Sequence, residues 1–179
     1  KMAMLDGRVF ATARPLQVQD KEGDHFKLGD GKREELTAFD VVLMRQDPPF
    51  DMAFFFATHL LGLIDANRTL VINNPRGLRD ANEKLYALNF PDVIPPSIVS
   101  ADAGRLKAFM QELGGEVIVK PLDGAGGMGI FRITKGDLNT HSILETITRE
   151  GRRLIMAQRF LPASREGDMR LIYLDGRAI

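Results

Sequence analysis

Alternating apolar and polar runs predict a chain of mixed strands and helices. Short apolar runs rich in branched residues indicate strands at 39–44, 69–73, 116–120, 130–133 and 154–158. Longer runs with apolar residues at every third or fourth position indicate helices at 52–65, 78–89, 102–113 and 139–150. The strand–helix–strand succession predicts a parallel sheet, and antiparallel hairpins are concentrated in the second half. We therefore predict an α/β fold.

Both ends of the chain have the pattern of a β-hairpin. Asp6-Gly7 separates two apolar runs at the start, and Asp175-Gly176 separates 170–174 from 177–179. The second hairpin stops early, so we expect this chain to be part of a longer protein, truncated at both ends. Residues 19–35 are polar and charged with several glycines, which predicts an exposed loop.

Capping residues and prolines predict where helices begin and where one domain gives way to the next. Asp51 is positioned to cap the helix at 52–65, and Ser100 the helix at 102–113. The run Phe54-Phe55-Phe56 is interpreted as core, because no basic residues are interleaved with it. Prolines mark a domain boundary between 90 and 100.

Composition narrows the functional classes. Basic and acidic residues number 24 each, so no net field favours nucleic acid or an anionic membrane. The absence of cysteine excludes disulfides and thiolate metal sites, and three isolated histidines lack zinc-like spacing. Any metal would therefore have oxygen ligands. No apolar run approaches the roughly 20 residues that span a bilayer, and the start lacks a signal-peptide pattern. We expect a cytoplasmic protein.

Four glycines lie within six positions between two predicted strands, at Gly124, Gly126, Gly127 and Gly129. A loop with so few Cβ atoms can bring its N–H groups close to a bulky anion. A dinucleotide fingerprint would open a helix, but a strand follows here, and a P-loop has its lysine after the glycines, whereas Lys120 precedes them. We interpret 116–133 as a phosphate-covering hairpin; the alternative is a tight turn with spare glycines.

Polar side chains elsewhere are weaker candidates. Arg45 and Asp47 follow a predicted strand at a turn that Pro48 and Pro49 make rigid, and open α/β sheets usually bind ligands there. An Arg–Asp pair that merely fixes the turn explains them equally well. Lys84 lies on the polar side of a predicted helix, where a lysine is ordinarily solvated.

Four segments together resemble a known family. They are KPLDGAGGMGIFR (120–132), MRQDPPFD (44–51), NPRGLRDANEKL (74–85) and MAQRFLP (156–162). In order and spacing they resemble prokaryotic glutathione synthetases, which are ATP-grasp ligases, and the resemblance covers nearly the whole chain. It implies a partial ATP-grasp fold after the remainder of an N-terminal open parallel-sheet domain. The implied limits are 1–84 for that remainder, 85–162 for the central subdomain with the glycine loop, and 163–179 for the start of the C-terminal subdomain.

The resemblance implies a ligase that joins γ-glutamylcysteine to glycine. ATP phosphorylates the free carboxylate of the dipeptide, the amine of glycine attacks the acyl phosphate, and phosphate leaves. Cations and oriented amides suit the triphosphate, and a lid would keep water from the intermediate. The resemblance also implies Mg²⁺, with Mn²⁺ as an alternative, whose ligands lie beyond Ile179, and a homo-oligomer, commonly a tetramer. These 179 residues alone should therefore not complete the reaction.

The same resemblance implies roles for individual residues. Lys84 and Lys120 match the two lysines that hold ATP phosphates. The closing lid matches Gly124, Ala125, Gly126, Gly127, Met128 and Gly129. The hinge whose backbone reads adenine matches Gln158, Arg159, Phe160 and Leu161. Arg170 matches a catalytic arginine near the phosphates, and Arg45 with Asp47 match the turn that faces the peptide substrate.

Two other interpretations stay open. One is another ATP-grasp carboxylate–amine ligase, such as an enzyme that adds glutamate or D-alanine. The other is a regulatory module that binds a nucleotide without catalysis.

Overall fold

The computed structural model describes residues 1–47, 49–174 and 176–179. Pro48 of the predicted rigid turn and Asp175 of the predicted C-terminal turn lie outside the described residues. The chain divides into two compact units, and each is treated by itself. Unit one is 1–86 with 123–126, and unit two is 87–122 with 127–179. In the part of the chain that is described, no helix is both long and apolar enough to cross a membrane.

Unit one combines hairpins with a β–α–β segment. Its strands are β1 (Met2–Leu5), β2 (Arg8–Ala13), β3 (Leu16–Val18), β4 (Phe26–Leu28), β5 (Lys32–Glu35), β6 (Val41–Leu43) and β7 (Leu70–Ile72). Its helices are α1 (Met52–Leu61), α2 (Pro75–Asp80) and α3 (Glu83–Tyr86). The antiparallel sheet has the order β1-β2-β5, β3 pairs with β4, and β6 pairs with β7 in parallel. The predicted hairpin at Asp6-Gly7 and the predicted parallel pair are confirmed.

Residues 19–35 are largely exposed as predicted, but the prediction of one loop is wrong, because β4 and β5 lie within it. The charged strand β5 pairs with β2 at the edge of the sheet, where charged side chains are common. Its partner lies far away in the sequence, so local polarity could not indicate the pairing. Hairpins are consequently not concentrated in the second half of the chain.

Helix α1 has the predicted N-cap, but its buried residues do not include the phenylalanine run. Asp51 Oδ1 accepts a hydrogen bond from the Phe54 N–H at 2.8 Å, which confirms the cap. The helix ends at Leu61, and its buried residues are Ala57, Thr58 and Leu61. Phe56 is 56% exposed and Phe54 and Phe55 are only half-buried, so the prediction of three core phenylalanines is wrong. An apolar run without polar interruptions has no periodicity from which to choose a face.

The predicted helix at 78–89 is wrong in its limits and in its continuity. Asn74 Oδ1 accepts hydrogen bonds from the N–H groups of Arg76 and Gly77, so α2 begins earlier, with Pro75 in its first turn. Asn82 Oδ1 accepts from the N–H groups of Lys84 and Leu85, so a second helix starts there. Asparagine side chains compete with helical backbone bonds in this way. Lys84 therefore lies in the first turn of α3.

The predicted buried strand at 39–44 is shorter and more exposed than expected. Strand β6 leaves Val41 and Leu43 46% and 59% exposed, whereas Val42 packs on the small core of unit one. That core contains Val9, Leu36, Leu61 and Ile64. Successive side chains of a strand point to opposite faces, and only one face of β6 meets this core.

Unit two is built around one antiparallel sheet. Its strands are β8 (Ser97–Ser100), β9 (Val117–Pro121), β10 (Phe131–Ile133), β11 (Ile155–Arg159), β12 (Tyr173–Leu174) and β13 (Arg177–Ala178). Its α-helices are α4 (Ala103–Glu112) and α5 (Thr140–Thr148). The sheet has the order β10-β9-β11-β8, and β12 pairs with β13. Strand β8 was not predicted, since it directly follows the prolines interpreted as a boundary.

Helices α4 and α5 pack on one face of this sheet. The apolar residues at helical spacing that predicted the helix at 102–113 form its packed face, with Leu106 and Met110 buried and Phe109 and Leu113 packed against the same core. The sheet contributes Val117, Val119, Ile133, Ile155 and Ala157 to that core, and α5 contributes Leu144 and Ile147. The alternate residues of β9, which include Lys120, therefore lie on the opposite face of the sheet.

The cap of α4 is Asp102 and not the predicted Ser100. Asp102 Oδ1 accepts from the Arg105 N–H at 3.0 Å, and Ser100 Oγ accepts from the Asp102 N–H at 3.0 Å. The backbone N–H of Arg105, followed by that of Gly104, holds the pKa of Asp102 below its ordinary value of 3.8. The cap is therefore strongest when Asp102 is ionised.

We expect this cap to make stability depend on pH under acidic conditions. Because the folded-state pKa is lowered, the contribution is fully present above the unfolded pKa, and it is lost as pH falls through the folded value. Asp102→Asn keeps a capping oxygen that does not titrate. Thermal unfolding should show a smaller loss of stability between neutral and acidic pH for Asp102→Asn than for wild type. Identical losses would contradict this role.

Candidate functional site

The glycine loop, residues 124–129, connects two antiparallel strands as predicted. Val117 pairs with Ile133 and Val119 with Phe131, which confirms the strand–loop–strand arrangement. Gly126 and Gly127 have φ angles of +62° and +78°, and a Cβ added at either would meet nothing within 4 Å. Backbone conformation, not lack of space, therefore favours glycine at these two positions. The open surroundings leave room for a ligand against the backbone.

Lys84 is buried, which contradicts the interpretation of a solvated lysine. Its side chain is 9% exposed, and its Nζ donates a hydrogen bond to the Gly124 carbonyl at 2.7 Å. The Glu83 carboxylate lies 3.7 Å away but is 80% exposed. Unit one therefore holds a cation against the first residue of the glycine loop.

Lys120 shares a sheet face with Gln158. Lys120 pairs with Met156 and Ile118 with Gln158, and directly paired residues point to the same side of a sheet. This face is opposite to the one that α4 and α5 cover. Gln158 Nε2 donates to Ser97 Oγ at 2.7 Å, which fixes its amide. A lysine ammonium and a fixed amide are thus presented on one side of unit two.

In the predicted hinge, residues 158–161, two backbone N–H groups already donate hydrogen bonds within the protein. The Arg159 N–H donates to the Pro96 carbonyl at 3.0 Å, and the Phe160 N–H donates to the Glu116 carbonyl at 3.4 Å. Over residues 1–47, 49–174 and 176–179, the Leu161 N–H has no protein acceptor. Leu161 is also 51% exposed, so this donor is the one best placed to meet a ligand.

A cluster around Arg132 was not indicated by the sequence. The Arg132 guanidinium donates to Glu116 Oε1, with Nε at 2.6 Å, and lies 4.2 Å from the centroid of the Phe160 ring. Arg132 pairs with Ile118, so Glu116 is its diagonal neighbour across the hairpin. Opposite charges at diagonal positions of a predicted hairpin are the signal that could have found this pair.

The remaining predicted site residues are exposed. Arg45 and Asp47 follow β6 as predicted, and among the described residues they form no ion pair with each other. Arg170 is exposed and precedes β12, whose first residue is Tyr173 and not the predicted Arg170. Within the described part of the chain, these three side chains make no hydrogen bond to Lys84 or Gln158.

Acidic and histidine side chains are dispersed. Within the described residues, no group of three or more His, Asp or Glu side chains could hold a metal ion. The lysines, the Gln158 amide and the backbone groups described above suit anions and hydrogen-bonding rings.

Similarity to known proteins extends over both units. A family model of the prokaryotic glutathione synthetase N-terminal domain matches residues 1–79, and one of the ATP-grasp domain matches 83–179. Glutathione synthetases of Nitrosomonas europaea and Shewanella oneidensis are 48% and 42% identical over 181 and 178 residues. Each alignment covers 99% of this chain and 56% of the relative, so the chain spans about half the length of the curated relatives it matches.

Solved structures share the fold at lower sequence identity. D-cycloserine synthetase DcsG aligns with a TM-score of 0.57 at 16% identity, over 72% of this chain and 46% of that one. A RimK domain ATP-grasp protein from Sphaerobacter thermophilus aligns with a TM-score of 0.52 at 22% identity, over 69% and 47%. These likenesses confirm the predicted α/β, partial ATP-grasp fold. Because two family models match in succession over almost all of its length, the chain belongs to the prokaryotic glutathione synthetase family.

Proposed function

We propose that the full-length protein containing this chain is an ATP-dependent ligase that joins γ-glutamylcysteine to glycine. The observation that carries the proposal is the match to both domains of one synthetase family, in order. The chain contributes the N-terminal part and much of the nucleotide-binding part. Its cytoplasmic location and its assembly as a homo-oligomer stay predictions.

The nucleotide is the ligand that the polar groups suit best. We assign Lys84 and Lys120 to the phosphates of ATP, because one ammonium is buried against Gly124 and the other belongs to the sheet face that carries a fixed amide. The glycine loop would cover the phosphates with its N–H groups, since its surroundings are open and its backbone takes positive φ. The Leu161 N–H would donate to N1 of adenine.

The other assignments concern substrate and reaction. Arg170 would stabilise charge that develops during phosphoryl transfer, and Arg45 with Asp47 would bind γ-glutamylcysteine. ATP would phosphorylate the dipeptide carboxylate, the glycine amine would attack the resulting acyl phosphate, and phosphate would leave. The loop would exclude water during these steps. Magnesium would neutralise phosphate charge when bound, and no ligand for it is assigned to this chain.

Phosphate release by the full-length protein tests this function. With ATP, magnesium, γ-glutamylcysteine and glycine, we expect release that depends on both substrates. Turnover only with glutamate or D-alanine as acceptor would indicate another ATP-grasp ligase. Binding of ATP without turnover on any acceptor would indicate a non-catalytic nucleotide-binding module.

The glycine loop gives a prediction of its own. A valine at Gly127 would have a β-branched side chain at φ +78°, which costs about 1–2 kcal/mol although nothing lies within 4 Å. We expect Gly127→Val to raise the Kd for ATP about 5- to 30-fold, since the loop leaves its positive-φ conformation. In limited proteolysis, ATP should protect the loop of wild type and protect the variant much less.

Gly136→Val is the matched control. Gly136 has φ +83°, an added Cβ there also meets nothing within 4 Å, and it lies beyond β10 in unit two. The control should carry similar local strain and keep normal ATP affinity. Equal cleavage of wild type with and without ATP would show that the loop does not act as a lid.

A further inference from the structure

We propose that Arg132 is a positioning residue for the nucleotide base, acting through Phe160 of the hinge. This inference rests on the proposed function, because it assumes that residues 158–161 bind adenine. Neither Arg132 nor Glu116 has a role in the interpretation drawn from the sequence. Their contacts assign them one.

Glu116 is hydrogen-bonded to both Arg132 and Phe160. Its carboxylate accepts from the Arg132 guanidinium, with Nε at 2.6 Å, and its backbone carbonyl accepts from the Phe160 N–H at 3.4 Å. The Arg132 guanidinium carbon lies 4.2 Å from the centroid of the Phe160 ring, which is stacking distance for a cation on an aromatic face. Phe160 is thereby held at its backbone and at its ring.

The orientation of Phe160 determines where the next N–H points. Leu161 follows directly, and its N–H has no protein acceptor in the described part of the chain. Adenine presents an acceptor at N1, whereas guanine presents an N–H donor there. A correctly oriented Leu161 N–H can therefore donate to N1 of adenine but not to N1–H of guanine. A hinge that is held less firmly would discriminate less between the two bases.

Arg132 also links the hinge to the glycine loop along the chain. It is the third residue after Gly129 and lies in β10, the strand that leaves the loop. Strand β10 is at the edge of its sheet, bonded to β9 on one side. The contact with Phe160 therefore ties the strand leaving the loop to the segment that would bind the base.

Arginine has properties here that lysine lacks. Its planar fork donates to Glu116 through two nitrogens while its face stacks on the ring. The Arg132 and Glu116 side chains are 38% and 41% exposed, so solvent screens the ion pair. Arg165 also approaches Phe160, at 5.7 Å, and gives partial support. We therefore expect a moderate effect on affinity and a clear effect on base choice.

The test compares variants of the full-length protein by calorimetric titration with ATP and with GTP. Arg132→Met should raise the Kd for ATP about two- to tenfold and lower the preference for ATP over GTP by a similar factor. Arg132→Lys should not restore the preference. Glu116→Gln, which keeps Arg132 but weakens its pairing, should shift the preference in the same direction by less.

Arg152→Met is the matched control, because Arg152 pairs with Glu150 in the same unit and both side chains are largely exposed. It should leave both Kd values unchanged. Wild-type preference for ATP in Arg132→Met or Arg132→Lys, with or without a lower Tm, would overturn the inference alone. A wild-type protein that binds no ATP would overturn the proposed function and this inference with it.

Discussion

Lys120→Ala in the full-length protein should raise the Kd for ATP by about 10- to 150-fold. The estimate corresponds to the loss of one hydrogen bond to a charged group, about 1.5–3 kcal/mol. Lys120 is near the end of β9, and its side chain lies on the sheet face that carries Gln158 and not on the face that packs against α4. Alanine at this position removes a cation without opening the core.

Isothermal titration with ATP measures the effect, and thermal unfolding shows whether the fold is retained. Lys135→Ala is a suitable control, because Lys135 is an exposed lysine of unit two that follows β10. The control should bind ATP normally. An unchanged Kd for Lys120→Ala would contradict a phosphate-binding role, and a large drop in Tm would show that Lys120 acts through stability.

The hairpin around the glycine loop could be predicted because its signals are local. Branched apolar residues specify β9, the glycines specify a loop, and Phe131 to Ile133 continue as β10. The apolar run after the loop is plain in the sequence, and a strand at that position excludes both the dinucleotide and the P-loop interpretation. The buried face of α4 was predictable for the same reason, since Leu106 and Met110 recur at helical spacing.

The predictions of secondary structure were wrong where a strand pairs with a distant segment or where a side chain caps a helix. The pairing of β5 with β2 joins residues 19 to 25 positions apart, and charged β5 has no local strand pattern. Helix α2 ends at Asp80 and the Asn82 side chain caps a second helix, so what looks like one helix is divided. Propensity is a weak prior in such segments, and tertiary context overrides it.

In the candidate site, too, features built from neighbouring residues could be predicted and contacts between distant residues could not. Lys120 and the glycines are adjacent in sequence, so their association could be proposed from the residues. Burial of Lys84 depends on Gly124, which is 40 positions away. The contact of Arg132 with Phe160 depends on sheet register and not on any motif. Only the family resemblance gave Lys84 a role, and it gave none to Arg132, although Arg132 ends one of the matching segments.

Lys84→Met should separate nucleotide binding from stability. Methionine is unbranched and apolar, so it can occupy most of the space of a side chain that is 9% exposed. The carboxylate beside it, that of Glu83, is 80% exposed, so loss of the ammonium leaves no buried charge unpaired. We therefore expect little loss of Tm. The Kd for ATP should nevertheless rise by about 10- to 150-fold, because one charged donor to phosphate is lost.

The same substitution should also change the loop when no nucleotide is present. Lys84 Nζ donates to the Gly124 carbonyl at 2.7 Å, and methionine cannot donate there. Cleavage of the glycine loop by protease should therefore be faster in Lys84→Met than in wild type without ATP, and ATP at wild-type saturating concentration should slow it less. Lys21→Met, at an exposed lysine of unit one paired with Asp24, should change neither rate. If Lys84→Met matches wild type in both proteolysis and ATP titration, the buried ammonium serves packing alone, and phosphate binding must be assigned to other cations.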